Sequence, residues 1–294
     1  MRQVRKRSVA RFLTALLGFA LTTNIWAHQP VMDMAPRWEH GYGFQIRHES
    51  YGSDTLLNGD SEVDNPFKRD NDVNLTWLEG IYTFRREVRL SVKIPYVDHR
   101  RTVVQNGASV QESGRGLGDI IVGVPLKRYK NDAAATRNIA FTPSIRLPTG
   151  STSGDYPVGD GSTDLGVSFS ASFEKADLYQ YYDLFYWKNG DGDRGINEGD
   201  ELGLDINIGW HPYHDNVKNE GVFLMLDASL RYQDRGQNLA GTTGGKRIST
   251  GPVFVYYRKG MMFRAEYKYP IYESLYDTQV SRGSELNVGI GFVF

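Results

Sequence analysis

The sequence predicts an all-β chain, a single antiparallel up-and-down transmembrane β-barrel of about 12 strands with long outer loops and short periplasmic turns. Three observations predict it. Apolar and polar residues alternate over most of residues 38–294. Short and long connections take turns between the alternating segments. The chain has no cysteine, a mean hydropathy of −0.46 and no apolar run long enough for a helical membrane span.

The N-terminal residues read as an export signal. Arg2, Arg5, Lys6, Arg7 and Arg11 make a basic head, and an apolar core runs over residues 12–21. That core is too short to cross a bilayer as a helix, and the small residue Ala27 closes the segment. The expected organisation is a signal peptide at 1–27, a short periplasmic segment at 28–37 and a barrel at 38–294. Export through a cleaved signal places such a chain in the outer membrane of a Gram-negative cell. A net charge of −1 gives no electrostatic case for nucleic acid as a partner. The expected partners are outer-membrane lipid, the barrel assembly machinery and a small-molecule solute.

Each strand is read from its period of two. Residues 38–48 put Trp38, Tyr42, Phe44 and Ile46 on one face, with Gly41, Gly43, Gln45 and Arg47 on the other. Residues 88–97 set Val88, Leu90, Val92, Ile94 and Tyr96 against Arg89, Ser91 and Lys93. Residues 164–173 set Leu165, Val167, Phe169, Ala171 and Phe173 against Asp164, Gly166 and three serines. Residues 201–210 and 222–232 repeat the pattern. Residues 262–271 oppose Phe263, Ala265, Tyr267, Tyr269 and Ile271 to Arg264, Glu266 and Lys268. Between such segments, 85–86, 174–176 and 258–260 read as tight turns. Residues 100–114, 150–161, 189–199, 234–246 and 273–284 read as long polar loops.

A soluble β-sandwich also alternates, and three features exclude it. The segments run about 10–13 residues, enough to cross a bilayer at a tilt, where ordinary strands average about 5–6. Trp38, Tyr96, Trp210, Tyr232, Tyr269 and Phe294 stand near segment ends, as interfacial girdles do. Arg89, Lys93, Arg231, Arg264 and Lys268 all avoid the apolar parity. The final residues, ELNVGIGFVF, alternate to the last side chain, with Leu286, Val288, Ile290, Phe292 and Phe294 on one face. This ending resembles the C-terminal signal of outer-membrane barrels. The resemblance implies that Phe294, Phe292 and Ile290 are read during assembly.

Three stretches carry a closer resemblance: YTFRREVRLSVKIPYV at 82–97, GRGLGDIIVGVPLKRY at 114–129, and IRLPTGS at 145–151 followed by GSTDLGVSFSAS at 161–172. Together they resemble the outer-membrane transporters of the meta-pathway of phenol degradation, over residues 75–290. The resemblance implies a small channel for passive uptake of hydrophobic or aromatic solutes, and no more; neither enzyme activity nor a cofactor or metal is expected.

The residues also offer other chemistry. His48 and Ser50 share the apolar parity at the top of the first strand, with the spacing of an outer-membrane acyl hydrolase, in which His acts as base to Ser. Tyr51 stands where those enzymes carry Asn, and no acidic third partner is evident. A closed structural barrel is a further alternative. The acidic loop 189–201 has Asn189, Asp191 and Asp193 at alternate positions, but its glycines fall at the wrong step for a calcium loop. The histidines form no metal-spaced cluster.

The inward parity is where a solute path would lie, since charges inside a membrane wall face a water-filled cavity. The candidates are Arg264, Glu266, Lys268, Asp205, Asn207, Asp227, Arg231, Arg89 and Lys93. Pairing of the last two strands and closure onto the first would bring Gly41, Gly43, Gly289 and Gly291 into a bare lane in front of the three charges of residues 264–268. The expected result is a polar constriction near mid-height, with charges of both signs.

Overall fold

The computed structural model describes residues 36, 38–131, 135–175, 177–215, 217–238 and 241–294. The expected signal peptide, and all of the segment after it except Pro36, lie outside these residues. The strands are β1 (Tyr42–Ser53), β2 (Leu56–Gly59), β3 (Ser61–Val63), β4 (Asp70–Arg85), β5 (Val88–Gln105), β6 (Ala108–Leu117), β7 (Ile120–Gly123) and β8 (Leu126–Asn131). They continue as β9 (Thr136–Leu147), β10 (Asp164–Lys175), β11 (Leu178–Lys188), β12 (Glu201–Asp215), β13 (Glu220–Asn238), β14 (Gly241–Arg258), β15 (Met261–Val280) and β16 (Glu285–Val293). Among the described residues the single helical turn is Asp193–Gly195.

The sheet closes on itself with every neighbour antiparallel, β1 pairing with β4 on one side and β16 on the other. β6, β7 and β8 form one kinked lane beside β5. With β2 and β3 folded as a small outer hairpin against β15, the wall is a 12-stranded barrel. One kink of that lane lies at Val124-Pro125. Pro125 has no N–H to donate, and its carbonyl accepts instead from Arg89 at 3.1 Å.

Closure brings the ends of the wall together. The backbones of Tyr42 and Phe294 exchange hydrogen bonds of 3.0 and 2.8 Å. The Phe294 ring stacks on Tyr42 at 5.3 Å and on Phe44 at 5.9 Å. The outward parity is apolar and exposed around the wall, at Ile46, Phe169, Leu184, Leu224, Tyr267 and Ile290 among others. Trp210, Tyr269 and Phe294 are each more than half exposed on that face.

Two expectations about boundaries are corrected. Trp38 lies in the bend that precedes the turn at 39–40 rather than in the first strand, which begins at Tyr42. Gly41 fits beneath the Trp38 indole, where a Cβ would stand 2.5 Å from Nε1. Residues 100–114, 234–246 and 273–284 are largely strand rather than loop. β5 and β6 make a hairpin, β13 and β14 run on to Asn238 and Gly241, and β15 reaches Val280, 20 residues in all. Beyond the bilayer both faces of a strand meet water, so the alternation disappears while the backbone ladder continues. One signal was present in the sequence: Asn106-Gly107, both at positive φ, is the two-residue turn that favours a hairpin.

The facing can be tested on β5. Val92 points outward, and Ser91 lines the interior. Val92→Lys should impair vesicle insertion far more than Ser91→Lys, with a penalty of about 2–4 kcal/mol at mid-membrane. Heat-modifiable gel mobility reads the folded fraction, and equal yields would refute this register.

Candidate functional site

The inward parity of the wall encloses a cavity of about 700 Å³. Arg264, Glu266, Lys268, Asp205, Asn207, Asp227, Arg231 and Lys93 all line it. Register explains how they meet. β12 and β13 place Asn207 opposite Asp227 and Asp205 opposite Ser229, and β13 runs Asp227, Ser229 and Arg231 along the same face. Asn207 Nδ2 donates to Asp227 at 2.7 Å, and Arg231 pairs with Asp205 at 2.8 Å. The Ser229 hydroxyl lies within hydrogen-bond reach of both aspartates and receives a bond from Lys268 Nζ at 2.9 Å. Lys268 also pairs with Asp227 at 3.2 Å, and Arg264 with Glu266 at 3.0 Å. On β1, Arg47 holds Glu49 and Glu79, both at 3.1 Å. The interior charges are of both signs, and most are spent on one another, within a strand or between strands.

Arg89 departs from the expectation. It has the inward parity but lies beside the short turns at the periplasmic end, 1% exposed, and donates to the Pro36 carbonyl at 2.9 Å. It belongs to the floor of the barrel rather than to the open wall. The glycine lane is also broken. Gly43 and Gly289 line the cavity, but Gly41 is covered by Trp38 and Pro36, and Gly291 faces Met262 and Gln45. Gly289 alone adjoins Arg264, while Glu266 and Lys268 face Asn287 and Glu285. The space over Gly289 is taken by the Arg47 side chain, which reaches Asn287 at 2.9 Å.

Sequence reasoning missed the floor itself. Tyr179, Phe223, Met225, Val253, Val255 and Met262 form a buried apolar cluster inside the short-turn end of the barrel. His211 stacks on Phe223 at 3.9 Å and meets the Tyr257 hydroxyl at 3.3 Å. The signal was in residues 222–226, VFLML, where both parities are apolar, as in a strand buried on both faces.

At the opposite end the outer loops fold over the barrel and enclose a vestibule of about 470 Å³. The motifs that carried the family resemblance build its roof. Asp119 of GLGD accepts from the Gly150 amide at 2.8 Å and from the Asp160 amide at 3.4 Å. The Thr149 hydroxyl of LPTG accepts from the Ile120 amide at 2.9 Å and lies 3.2 Å from the Gly118 carbonyl. The latch brings Gly150 and Gly159 so close that a Cβ on Gly150 would stand 2.8 Å from the Gly159 Cα. Beyond it, Tyr156 places its ring 4.0 Å from the Arg101 guanidinium and 4.1 Å from His99.

The other chemical candidates resolve into local contacts. His48 Nδ1 lies 3.1 Å from the Thr76 hydroxyl on the outward face. In the 189–201 loop, Asp191 accepts from Asn197 and Asp200 from Tyr186 and Lys188. Among the described residues no group of three or more His, Asp or Glu side chains could hold a metal ion.

Glu198, in the loop before β12, lines the vestibule. Burial and the neighbouring Asp160 push its carboxyl up to about 7, against the opposing influence of Arg146, Gln233 and Arg101. The vestibule therefore sheds one negative charge as pH falls through 7. Reversal potentials in a salt gradient should move toward anion preference between pH 8 and pH 6. Glu198→Gln should abolish the step and hold the low-pH value at both; an unchanged step in that variant would remove Glu198 from the path.

The family model described as "Putative MetA-pathway of phenol degradation" matches residues 50–276. Among solved structures, an outer membrane channel from Pseudomonas putida F1 is similar in fold, with a TM-score of 0.68, 12% identity, and coverage of 90% of this chain and 99% of that one. The KdgM porin aligns at 13% identity over 86% and 99% of the two chains, with a TM-score of 0.43. No curated protein matches the sequence. With three quarters of its length under one family model and an outer-membrane-channel fold around a charged interior, the chain belongs to the family of the MetA-pathway of phenol degradation.

Proposed function

We propose that this protein is a passive channel of the Gram-negative outer membrane that admits small solutes, aromatic ones among them. The observation that carries the reading is the pair of cavities along the barrel. The vestibule and the interior share Arg247, Glu273 and Arg282 as lining residues, so the two spaces meet at one neck. Solutes enter beneath the outer loops, pass the neck and move along a wall whose charges are held by ion pairs. The family description supports the aromatic class of solute. The chain reaches the membrane after removal of residues 1–27, contacts lipid through its outward parity, and is recognised by the assembly machinery through Ile290, Phe292 and Phe294. The acyl-hydrolase alternative loses support, because His48 is engaged by Thr76 rather than by Ser50 or a carboxylate.

The apolar floor favours a second reading, a barrel closed at its periplasmic end. Planar-bilayer recording separates the two. On the channel reading the wild type conducts weakly, and Phe223→Ala raises single-channel conductance, because Phe223 is fully buried in the floor. Folding of the variant is checked by heat-modifiable mobility. Absence of conductance in both folded proteins, with no loss of aromatic-solute uptake in a deletion strain, would leave the closed barrel standing.

A further inference from the structure

The neck between vestibule and interior holds a charge with no local use. Arg282 is committed: it pairs with Glu49 at 2.8 Å and Glu285 at 2.9 Å, and its guanidinium lies 3.5 Å over the Tyr51 ring. Glu273 is committed too, accepting from the Ser281 hydroxyl at 2.6 Å and the Arg282 amide at 3.1 Å. Arg247 is not. Among the described residues its side chain makes no hydrogen bond and no ion pair within 4 Å, although the other arginines of the interior wall, Arg47, Arg231, Arg264 and Arg282, each hold a carboxylate. An always-charged group with five N–H donors is thus presented, half-buried, to the space between the two cavities.

We propose that Arg247 is the docking point for the carboxylate of a monoanionic aromatic acid in transit. A guanidinium fork matches a carboxylate bidentately. Arg282 is neutralised by Glu49 and Glu285, and Glu273 stands directly across from Arg247 in the β14–β15 register without an ion pair within 4 Å. One unengaged guanidinium with the Glu273 carboxylate nearby suits a single negative charge better than a dianion such as a phosphate monoester. The vestibule supplies the rest of the recognition. Tyr51 and Tyr156, held by Arg282 and Arg101, line it with aromatic rings, and Val73, Val97 and Leu275 offer apolar contact. A space of about 470 Å³ takes a one-ring acid together with water.

This inference rests on the channel reading for the route of the solute but not for its binding, so the two can fail separately. The test is equilibrium binding of radiolabelled benzoate to the purified, folded protein in detergent, with benzyl alcohol as the neutral probe of the same shape. Saturable benzoate binding is expected, with benzyl alcohol unable to compete. Arg247→Gln should weaken the binding roughly ten-fold or more, because a charge-assisted pair is lost. Arg247→Lys should lie between, keeping the charge and losing the fork. Arg115→Gln, the same charge change on the exposed outer hairpin, should bind as the wild type does. Equal affinity of wild type and folded Arg247→Gln, equal binding of benzyl alcohol, or no saturable benzoate binding by the wild type would each overturn the proposal. If Arg247→Gln does not fold, the Lys variant and the alcohol comparison decide. Binding as described in a barrel that carries no current would refute the channel reading and leave this site in place.

Discussion

Every part of this molecule depends on one demand: in hydrocarbon, each backbone N–H and C=O must find its partner within the protein. A sheet meets that demand only by closing, and closure here is made by β1 and β16. The seam pairs Phe44 with Phe292 and Ile46 with Ile290, so the alternation of the last strand and that of the first fall on the same face. A slip of one residue along the seam would turn Arg47 and Asn287 toward lipid and Ile46 into the interior. The wall beyond the bilayer is under no such demand, which is why strands of very different length stand above the membrane on a barrel of constant strand number.

Closure turns the polar parity inward and creates a second problem, a ring of charges facing a narrow space bounded by a low-dielectric wall. Most are settled in pairs between nearby strands: Arg231 with Asp205 and Arg47 with Glu79 on neighbouring strands, and Lys268 with Asp227 across β14. Removing one partner of such a pair strands the other, and the cost of an unpaired charge in a confined site exceeds what the pair contributes. The paired wall is therefore scaffold. What sets the proposed Arg247 site apart from the charged trio of β15 is that the trio is held in ion pairs and Arg247 is not.

The two ends of the barrel are closed by different physics. The periplasmic floor is apolar packing, with Phe223 and Val255 fully buried and Pro36 above Arg89 and Thr83. The outer roof is polar: Asp119 and Thr149 hold loop backbone through hydrogen bonds, and Tyr156 rests on Arg101. The short Gly-Leu-Gly-Asp and Leu-Pro-Thr-Gly motifs, far apart in sequence, are the two halves of this latch. Their contribution is to the shape of the vestibule.

The sequence by itself determined the barrel, the facing of its strands and the membrane-crossing spans, because alternation is a local property and lipid punishes any charge on the wrong parity. It also held, unread, the Asn106-Gly107 hairpin turn and the two-sided apolar run at 222–226. Only the tertiary structure decided which inward residues meet. Parity says that Arg264, Gly289 and Arg47 point inward; register and closure decide that Arg47 fills the space over Gly289 and that the glycine lane ends there. Parity treats Arg89 and Arg247 alike. Height along the barrel seals the first beneath Pro36, and the strand pairing around the second leaves its guanidinium facing open space, since a partner on another strand is fixed by the shear of the whole closed sheet rather than by any local pattern.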